Sequence, residues 1–545
     1  MAHPAARTPR EGNVPGRPNF LLIMTDQHRA DHLGCYGNRI LQTPHIDGLA
    51  ARGVAFDRFY VASPICMPNR ATLMTGRMPS VHGVRHNGIP LSLRATTFAE
   101  LLRVAGYRTA MVGKSHLQNM LDKPTLVPDL RDAALAKPPA ALDEAAQPEP
   151  GRYDQEFAAR WRKNPERAMA LPYYGFEHVD LAVEHGDQVD GHYSGWLAKH
   201  APDPDRLRGA ENALPSPDIV CPQAWRTRMP EALYPTSYVA EKTIERLGEF
   251  ARTRTQPFLL KCSFPDPHHP FTPPGRYFDR YRAADVSVPE SWHFDRERAP
   301  PHLKRLLDER DAGTRVAHTP ALFACTEREA REAIALTYGM IAMIDDAVGR
   351  ILTRLHDLGL ADDTVVIFTA DHGDYMGDHQ LLLKGPIHYA SITRVPFIWA
   401  DPQAAGRGTR RRAMAGTVDI AATILARAGM APFNGMHGAS MLGVIDGSAG
   451  DRFRDALVIE EEGQRVYMGF PSRVRTRTLV TERHRLSVYD GMPWGEFYDL
   501  QEDPHEIVNR WDDPGARDAR LAVQDRMLHE MIAISETSPR PSALA

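Results

Sequence analysis

Two short apolar runs, each leading into an acidic residue, constrain the fold of this chain more than any other feature. Asn19 to Met24 precede Thr25-Asp26-Gln27, and Thr364 to Thr369 precede Asp371-His372. Apolar runs of this length without polar alternation are typical of strands buried on both faces, as in a parallel sheet covered by helices. Ligands of such sheets bind beyond the carboxyl ends of the strands. The runs therefore predict an α/β sheet with a polar site at one edge.

Strand and helix patterns alternate along most of the chain, which predicts an α/β fold with a mostly parallel central sheet sandwiched by helices. Thr43 as N-cap, Pro44 in the first turn and Gly53 after the last turn predict a helix up to Arg52. The other predicted helices run from Pro68 to Gly76, Phe98 to Ala105, Tyr238 to Arg252 and Glu327 to Leu355. Further strands are predicted at Val54 to Ala62, Arg108 to Val112 and Pro257 to Ser263.

Changes in composition divide the chain into three predicted parts. Residues 1–18 are expected to be a disordered leader, residues 19–450 a large α/β domain, and residues 451–545 a C-terminal α+β subdomain. The large domain carries a predicted insertion at about residues 117–235, within which residues 123–150 are rich in Ala, Pro and Asp. In the tail, alternating patterns at residues 473–480 and 484–489, followed by residues 495–500, predict a small antiparallel sheet.

Bulk composition excludes several classes of protein. The 545 residues are 43% hydrophobic and 25% charged, which is typical of a globular protein. A net charge of -4 gives no excess of positive charge of the kind that nucleic-acid-binding proteins carry. No apolar run approaches the roughly 20 residues that span a bilayer, and no secretory signal is visible, so a cytoplasmic location without membrane contact is expected. The five cysteines are scattered and odd in number, which indicates reduced thiols and no zinc site of CxxC type.

The polar residues at the ends of the two buried strands have the chemistry of a cation site. Asp26 and Gln27 follow the first run, and Asp371 and His372 follow the second. Carboxylate and amide oxygens favour Ca²⁺, with Mg²⁺ and Mn²⁺ as alternatives, and the imidazole makes Mn²⁺ more acceptable than in an all-oxygen site. The competing interpretation is that residues 371–373 form only a turn and a helix cap.

The segment from Cys66 to Arg77 carries the resemblance to a known family. Cys66-Met67-Pro68-Asn69-Arg70, followed by Leu73-Met74-Thr75-Gly76-Arg77, resembles the tag of formylglycine-dependent sulfatases of the alkaline phosphatase superfamily. Three further segments are similar to conserved elements of that family: Gly113-Lys114-Ser115-His116, Pro267-His268-His269-Pro270 and Leu383-Lys384-Gly385. One departure is Ala390, which stands where Glu is common in the family.

The resemblance implies an arylsulfatase-like hydrolase. A formylglycine-generating enzyme would convert Cys66 to an aldehyde whose hydrate is both nucleophile and metal ligand, beside Asp26, Gln27, Asp371 and His372. The resemblance also implies the roles of the other catalytic residues: Arg70 orients the hydrate, Lys114 and Lys384 bind sulfate oxygens, His268 protonates the leaving alcohol, and His116 accepts a proton. The implied substrate is a small aryl or alkyl sulfate monoester, and a homo-oligomer is compatible with the sequence.

Other functions compete with sulfate ester hydrolysis. A sister group hydrolyses phosphonate monoesters or phosphodiesters with the same formylglycine, but has Tyr and Thr where this chain has Lys114 and His116. A non-catalytic binding protein would have lost Cys66, Arg70 or a metal-type Asp, and none is lost. A conventional cysteine hydrolase would leave the carboxylates and lysines without a role. His185 and His269 are open between a pocket role and a structural one.

Overall fold

The computed structural model describes residues 17–125, 127, 134–139, 142–146 and 149–544. The predicted leader lies outside the described residues except for Arg17 and Pro18, as does much of the segment rich in Ala, Pro and Asp. In the described part of the chain, none of the helices has the length and apolar character that crossing a bilayer requires.

The described residues form strands and helices in alternation along the large domain. The strands are β1 (Asn19–Thr25), β2 (Val54–Tyr60), β3 (Arg108–Gly113), β4 (His178–Val183), β5 (Asp190–Gly191), β6 (Phe258–Ser263), β7 (Phe323–Ala324), β8 (Thr364–Ala370), β9 (Leu381–Leu382), β10 (Phe397–Ala400), β11 (Thr409–Gly416), β12 (Ala456–Glu462), β13 (Arg475–Thr481), β14 (His484–Tyr489) and β15 (Gly495–Asp499). The helices are α1 (Pro44–Arg52), α2 (Cys66–Thr75), α3 (Pro79–His82), α4 (Phe98–Val104), α5 (Ala158–Lys163), α6 (His192–His200), α7 (Pro235–Arg252), α8 (Pro301–Asp311), α9 (Glu327–Asp357), α10 (Ala390–Thr393), α11 (Val418–Arg427), α12 (Leu442–Ile445) and α13 (Arg517–Ala533).

A nine-stranded sheet in the order β11-β2-β10-β8-β1-β6-β3-β4-β5 forms the centre of the protein. Its strands pair in parallel except where β10 meets β2 and β8, and where β5 meets β4. The predicted mostly parallel sheet is therefore confirmed. Strand β1 lies in the middle, between β8 and β6, which places the residues that follow these strands side by side at one edge.

Alternate side chains of β1 enter two different cores, one on each face of the sheet. Leu21 and Ile23 pack with residues of α7 and α9, whereas Phe20, Leu22 and Met24 pack with residues of α2, α4 and α11. Successive side chains of a strand point to opposite faces, so only a strand covered on both sides is apolar at every position. This double burial explains why the run at the start of the chain has no polar alternation.

The first turn of α1 differs from the sequence-based expectation. Thr43 stands at the N-cap position, but its hydroxyl donates to the Asp47 carboxylate and makes no capping bond. The free backbone N–H groups of His45 and Ile46 donate instead to Asp345 of α9, at 3.2 and 2.8 Å. The cap is therefore supplied by a residue three hundred positions away, which no local pattern could indicate.

The segment predicted as an insertion, residues 117–235, also contributes to the central sheet. Strand β4 pairs in parallel with β3, and β5 pairs with β4 at the edge. Helices α5 and α6 belong to the same segment. The segment is thus in part an extension of the sheet and not wholly an excursion from it. The proposed domain limits at residues 18, 450 and 451 stay a prediction.

The smaller C-terminal antiparallel sheet is confirmed, with one strand more than the sequence indicated. Its order is β12-β13-β14-β15, and Val523 and Met527 of α13 pack against its Leu479, Leu486 and Phe497. Strand β12 was missed because it ends in three consecutive glutamates, a poor strand pattern. In the sheet, Glu460 and Glu462 stand opposite the cationic residues Arg477 and Arg475 of β13.

We predict that Leu21→Ala lowers the unfolding free energy by about 2–5 kcal/mol, because Leu21 is 0% exposed in the central strand and its loss leaves a cavity. The matched control is Leu528→Ala, since Leu528 is 62% exposed on α13. Urea denaturation of both variants measures the effect. Equal urea denaturation midpoints for the two variants would contradict the burial of β1 on both of its faces.

Candidate active site

The site lies where the carboxyl ends of four neighbouring strands meet the start of a helix. Asp26 and Gln27 follow β1, Asp371 and His372 follow β8, and Lys114 follows β3. His268 follows β6 in the next loop, and Cys66 is the first residue of α2. Because these strands are adjacent and largely parallel, the sheet brings together residues that are hundreds of positions apart in the chain.

Cys66 points into a buried group of metal-type ligands. Its Sγ lies 3.0 Å from Nε2 of His372 and 3.8 Å from a carboxylate oxygen of Asp26. Burial and Asp26 act to raise the pKa of the Cys66 thiol, but Lys384, Lys114 and His372 outweigh them and the pKa is lowered. The side chain at position 66 is therefore held among charges, not in an inert apolar pocket.

One ligand atom from each of Asp26, Cys66, Asp371 and His372 lies within 4.8 Å of the others. His372 donates Nδ1–H to the carbonyl of Gly373 at 2.9 Å, which turns the lone pair of Nε2 towards the carboxylates. Two fully buried carboxylates with an imidazole nitrogen aimed at them fit a divalent cation. The set of donors is mixed oxygen and nitrogen, as the sequence indicated.

Gln27 lies at the rim of this cluster. Its backbone N–H donates to Asp371 at 3.0 Å, while its amide oxygen accepts from Lys384 at 2.6 Å. Its amide nitrogen donates to Asp374 and, at 3.1 Å, to Nδ1 of His269. The amide thus links the carboxylates to the residues around them, and its role as a metal ligand stays a prediction.

Arg70 holds the two carboxylates together. Its Nε donates to Asp371 at 2.7 Å and its Nη2 to Asp26 at 3.1 Å. Its Nη1 donates to the Lys114 carbonyl and to Ser263. Burial alone would raise the pKa of Asp26, but Lys114 and Arg70 hold it well below its usual range. Asp26 is therefore ionised, as a ligand of a cation must be.

Two buried lysines flank the cluster. The ammonium of Lys114 donates to Asp26 and, at 2.5 Å, to Nε2 of His185. The ammonium of Lys384 donates to Gln27 and, at 2.7 Å, to Nε2 of His268. Asp26, His185 and His268 form a second group whose ligand atoms lie close enough together to hold a metal ion. The ammonium groups of Lys114 and Lys384 already contact this group. Positive charge from two sides makes the site suitable for an anion.

Three histidines of the site, His185, His268 and His269, stack on one another, and burial lowers the pKa of each. His268 donates Nδ1–H to the carbonyl of His269 at 2.5 Å, so its Nε2 is the acceptor that faces Lys384. The rings of His185 and His269 stack on His268 with centroids 3.6 and 4.0 Å away. Burial and the neighbouring cations hold the pKa of His268 well below its usual range. His185 and His269 therefore both belong to the site.

His116 lies in the loop after β3, buried, with a backbone in the left-handed region. Burial and Lys114 hold its pKa well below the usual value. Its Nδ1 has no hydrogen-bond partner among the described residues. An unpaired buried nitrogen beside the lysine is available for contact with a ligand.

Sequence reasoning missed several residues that hold the site in shape. Glu156 accepts the backbone N–H groups of His116, Leu117 and Gln118, and it comes from the segment predicted as an insertion. A single glutamate in a polar loop gives no signal of this function. Asp374 accepts from Gln27 and from the backbone of Leu383 next to Lys384, and the Asp-His-Gly-Asp spacing could have indicated it.

A glutamate from the tail reaches the position where the sequence departs from the family pattern. The backbone N–H of Ala390 donates to the carboxylate of Glu506 at 2.7 Å. The same carboxylate accepts from Arg485, which also pairs with Glu496 at 3.0 Å. The carboxylate missing from the side chain at 390 is thus present nearby, supplied by a residue that follows β15.

Comparison with protein families identifies two matches. Residues 18–430 match the model of the sulfatase family, which covers most of the chain. Residues 377–533 match the model described as N-sulphoglucosamine sulphohydrolase, C-terminal.

Whole-length relatives are similar in sequence and in fold. An arylsulfatase of Clostridium perfringens (strain 13 / Type A) is 27% identical over 90% of this chain and 90% of its own length. A multifunctional alkaline phosphatase superfamily protein, PehA of Trinickia caryophylli, is 27% identical over 97% and 99%. The crystal structure of the phosphonate monoester hydrolase of Agrobacterium radiobacter superposes with a TM-score of 0.74 and 26% identity, covering 96% of this chain and 97% of that one.

We predict that Asp371→Asn removes the bound divalent ion, because it deletes a charge that Arg70 and the ion would share. Elemental analysis after gel filtration in metal-free buffer should give about one ion per chain for the unaltered protein and almost none for the variant. Asp525→Asn is the control, since Asp525 is 76% exposed. Equal metal content in all three proteins would contradict the assignment.

Proposed function

The chain belongs to the sulfatase family of sulfuric ester hydrolases, and from that premise we propose that it hydrolyses an aryl or alkyl sulfate monoester at Cys66. The observation that carries the proposal is the meeting of Cys66, a buried carboxylate pair and two lysines at one point. A sulfate monoester is an anion, so its binding requires fixed positive charge and its attack requires a nucleophile held against that charge.

Conversion of Cys66 to formylglycine by a formylglycine-generating enzyme is part of this proposal. The tag around Cys66 supports it, and so does the direction of the side chain, which points at the carboxylates Asp26 and Asp371. A hydrated aldehyde would supply an oxygen nucleophile with a second hydroxyl as the way out of the covalent state. The soft sulfur of an unmodified thiol suits an oxygen-rich cation site less well.

Asp26, Asp371 and His372, together with residue 66 and Gln27, are the residues that would hold a divalent cation. Ca²⁺ is the proposed ion on the number of oxygen donors, with Mn²⁺ and Mg²⁺ as alternatives. The ion would supply Lewis acidity and orient the sulfate. The chain contributes the buried carboxylates that would retain the ion. It also contributes Arg70, which pairs with both carboxylates and so fixes the distance between them.

The lysines and histidines of the chain bind the anion and move protons. Lys114 and Lys384 contact the sulfate oxygens, exchanging their present partners Asp26 and Gln27 for the substrate. His268 relays a proton to the leaving oxygen: its Nε2 accepts from the Lys384 ammonium, takes that proton and passes it on, while Nδ1–H stays on the backbone carbonyl. His116, with Nδ1 unpaired among the described residues, accepts the proton released at residue 66.

Hydrolysis of phosphonate monoesters or phosphodiesters is the second candidate function. It is favoured by the likeness to the phosphonate monoester hydrolase and by the name of the PehA relative. A diester presents an uncharged ester oxygen where a sulfate monoester presents a charged one. Lys114 beside Asp26 suits the charged oxygen, and this contact favours the sulfate ester.

We predict that Cys66→Ala lowers kcat for an aryl sulfate by about a thousandfold or more, because it removes the nucleophile. Cys35→Ala is the matched control: Cys35 is a free, partly exposed thiol whose backbone N–H donates to Asp47 of α1, and that variant should keep full activity. Steady-state release of the phenol measures both. Turnover close to normal in Cys66→Ala would contradict the proposed nucleophile.

We also predict that Lys114→Tyr combined with His116→Thr moves the preference towards phosphodiesters by about tenfold, because it deletes an ammonium group beside the anion. The measured quantity is the ratio of kcat/KM for an aryl sulfate and for a phosphodiester with the same leaving group. An unchanged ratio would show that these two positions do not discriminate the esters.

A further inference from the structure

Two adjoining cavities open beside the catalytic lysine. The smaller, of about 100 Å³, is lined by Ile65, which precedes Cys66, and by Lys384 and Arg465. The larger, of about 430 Å³, lies beneath α8 and the loop after it. Both cavities are lined by Ala321, Arg465 and Tyr467. The two cavities therefore adjoin at these three residues, and together they are called the groove.

Arg465 stands at the junction of the two cavities with its charge unpaired. Among the residues that the structure describes, its only hydrogen bond is a 3.3 Å contact from Nη1 to the Thr319 hydroxyl, and it forms no ion pair. The hydroxyl of Tyr467, at the same junction, makes no hydrogen bond within the described part of the chain. The guanidinium thus has no anionic partner and keeps further N–H groups for a ligand, and the phenol hydroxyl beside it is a second donor.

The other charged groups of the groove already have partners. Glu461 lies 3.1 Å from Nε2 of His388, and Glu462 lies 3.3 Å from Arg85 and 3.5 Å from Arg475. Arg305 pairs with Glu309 at 2.8 Å, and Arg315 pairs with Glu329. Arg465 is thus the guanidinium of this groove that is left to bind a ligand.

We propose that Arg465, assisted by the Tyr467 hydroxyl, binds a second anionic group on the alcohol part of the sulfate ester. The inference rests on the proposed function and narrows the substrate class to sulfate esters that carry a further carboxylate or sulfate. A guanidinium recognises both groups with paired N–H donors in one plane. The groove leads from Lys384 to Arg465, so one ester could occupy both points.

The test compares three aryl sulfates with matched leaving-group pKa: a neutral one, one with a ring carboxylate and one with a ring sulfonate. Unaltered protein should show a higher kcat/KM for the anionic esters than for the neutral ester. In Arg465→Gln this preference should fall by about tenfold or more, because a charged hydrogen-bond partner is lost. Comparison of the carboxylate with the sulfonate identifies which anion is recognised.

Two further variants make the test decisive. Arg465→Lys should keep part of the preference, and Arg407→Gln, at the opposite edge of the sheet, should keep all of it. Hydrolysis of all three esters with no preference, or with a preference that survives Arg465→Gln, overturns the role of Arg465 while the proposed function stands. Failure to hydrolyse any of them with Cys66 converted overturns the proposed function, and this inference with it.

Discussion

The ion pairs of Arg70 with Asp26 and Asp371 are the interaction on which the rest of the site depends. Two fully buried carboxylates at the ends of adjacent strands repel each other and have lost their water, so a cation between them is required. Arg70 supplies it from the first turns of α2. The same contacts anchor the start of that helix, and therefore Cys66, over the strand ends. Cys66, the proposed nucleophile, is thus positioned by the groups that would hold the metal ion.

The charges around this centre are arranged for an anion. Lys114 and Lys384 reach the centre from different loops and donate to Asp26 and Gln27. His268 is held in one tautomer by a backbone carbonyl, so its Nε2 is the nitrogen that faces Lys384. The ends of the central strands carry the candidate active site, whereas Arg465 and Glu506 come from the chain after residue 450. In the functions proposed above, reaction type and substrate choice would therefore depend on different parts of the chain.

The parts predicted from sequence are those with a local signal. The apolar runs before Asp26 and Asp371 indicated double burial, and the sheet follows from them. The parts that were missed depend on distant partners: Asp345 caps α1, Arg475 and Arg477 allow the glutamate-rich β12, and Glu506 reaches Ala390. Glu156 belongs here too, because its contacts arise only when the polar segment folds back on the sheet. The same folding brings His185, which the sequence left open, against Lys114. The periodicity of a sequence indicates which side chains of one element are buried. It does not indicate which residue of another element will contact them.

The chemical state of residue 66 decides the account, and a mass spectrum of the peptide containing it, taken from enzyme that hydrolyses sulfate esters, tests it most directly. The account predicts the mass of an aldehyde or its hydrate at that position, in proportion to the specific activity of the preparation. Fully active enzyme whose peptide carries only the unmodified thiol would contradict it.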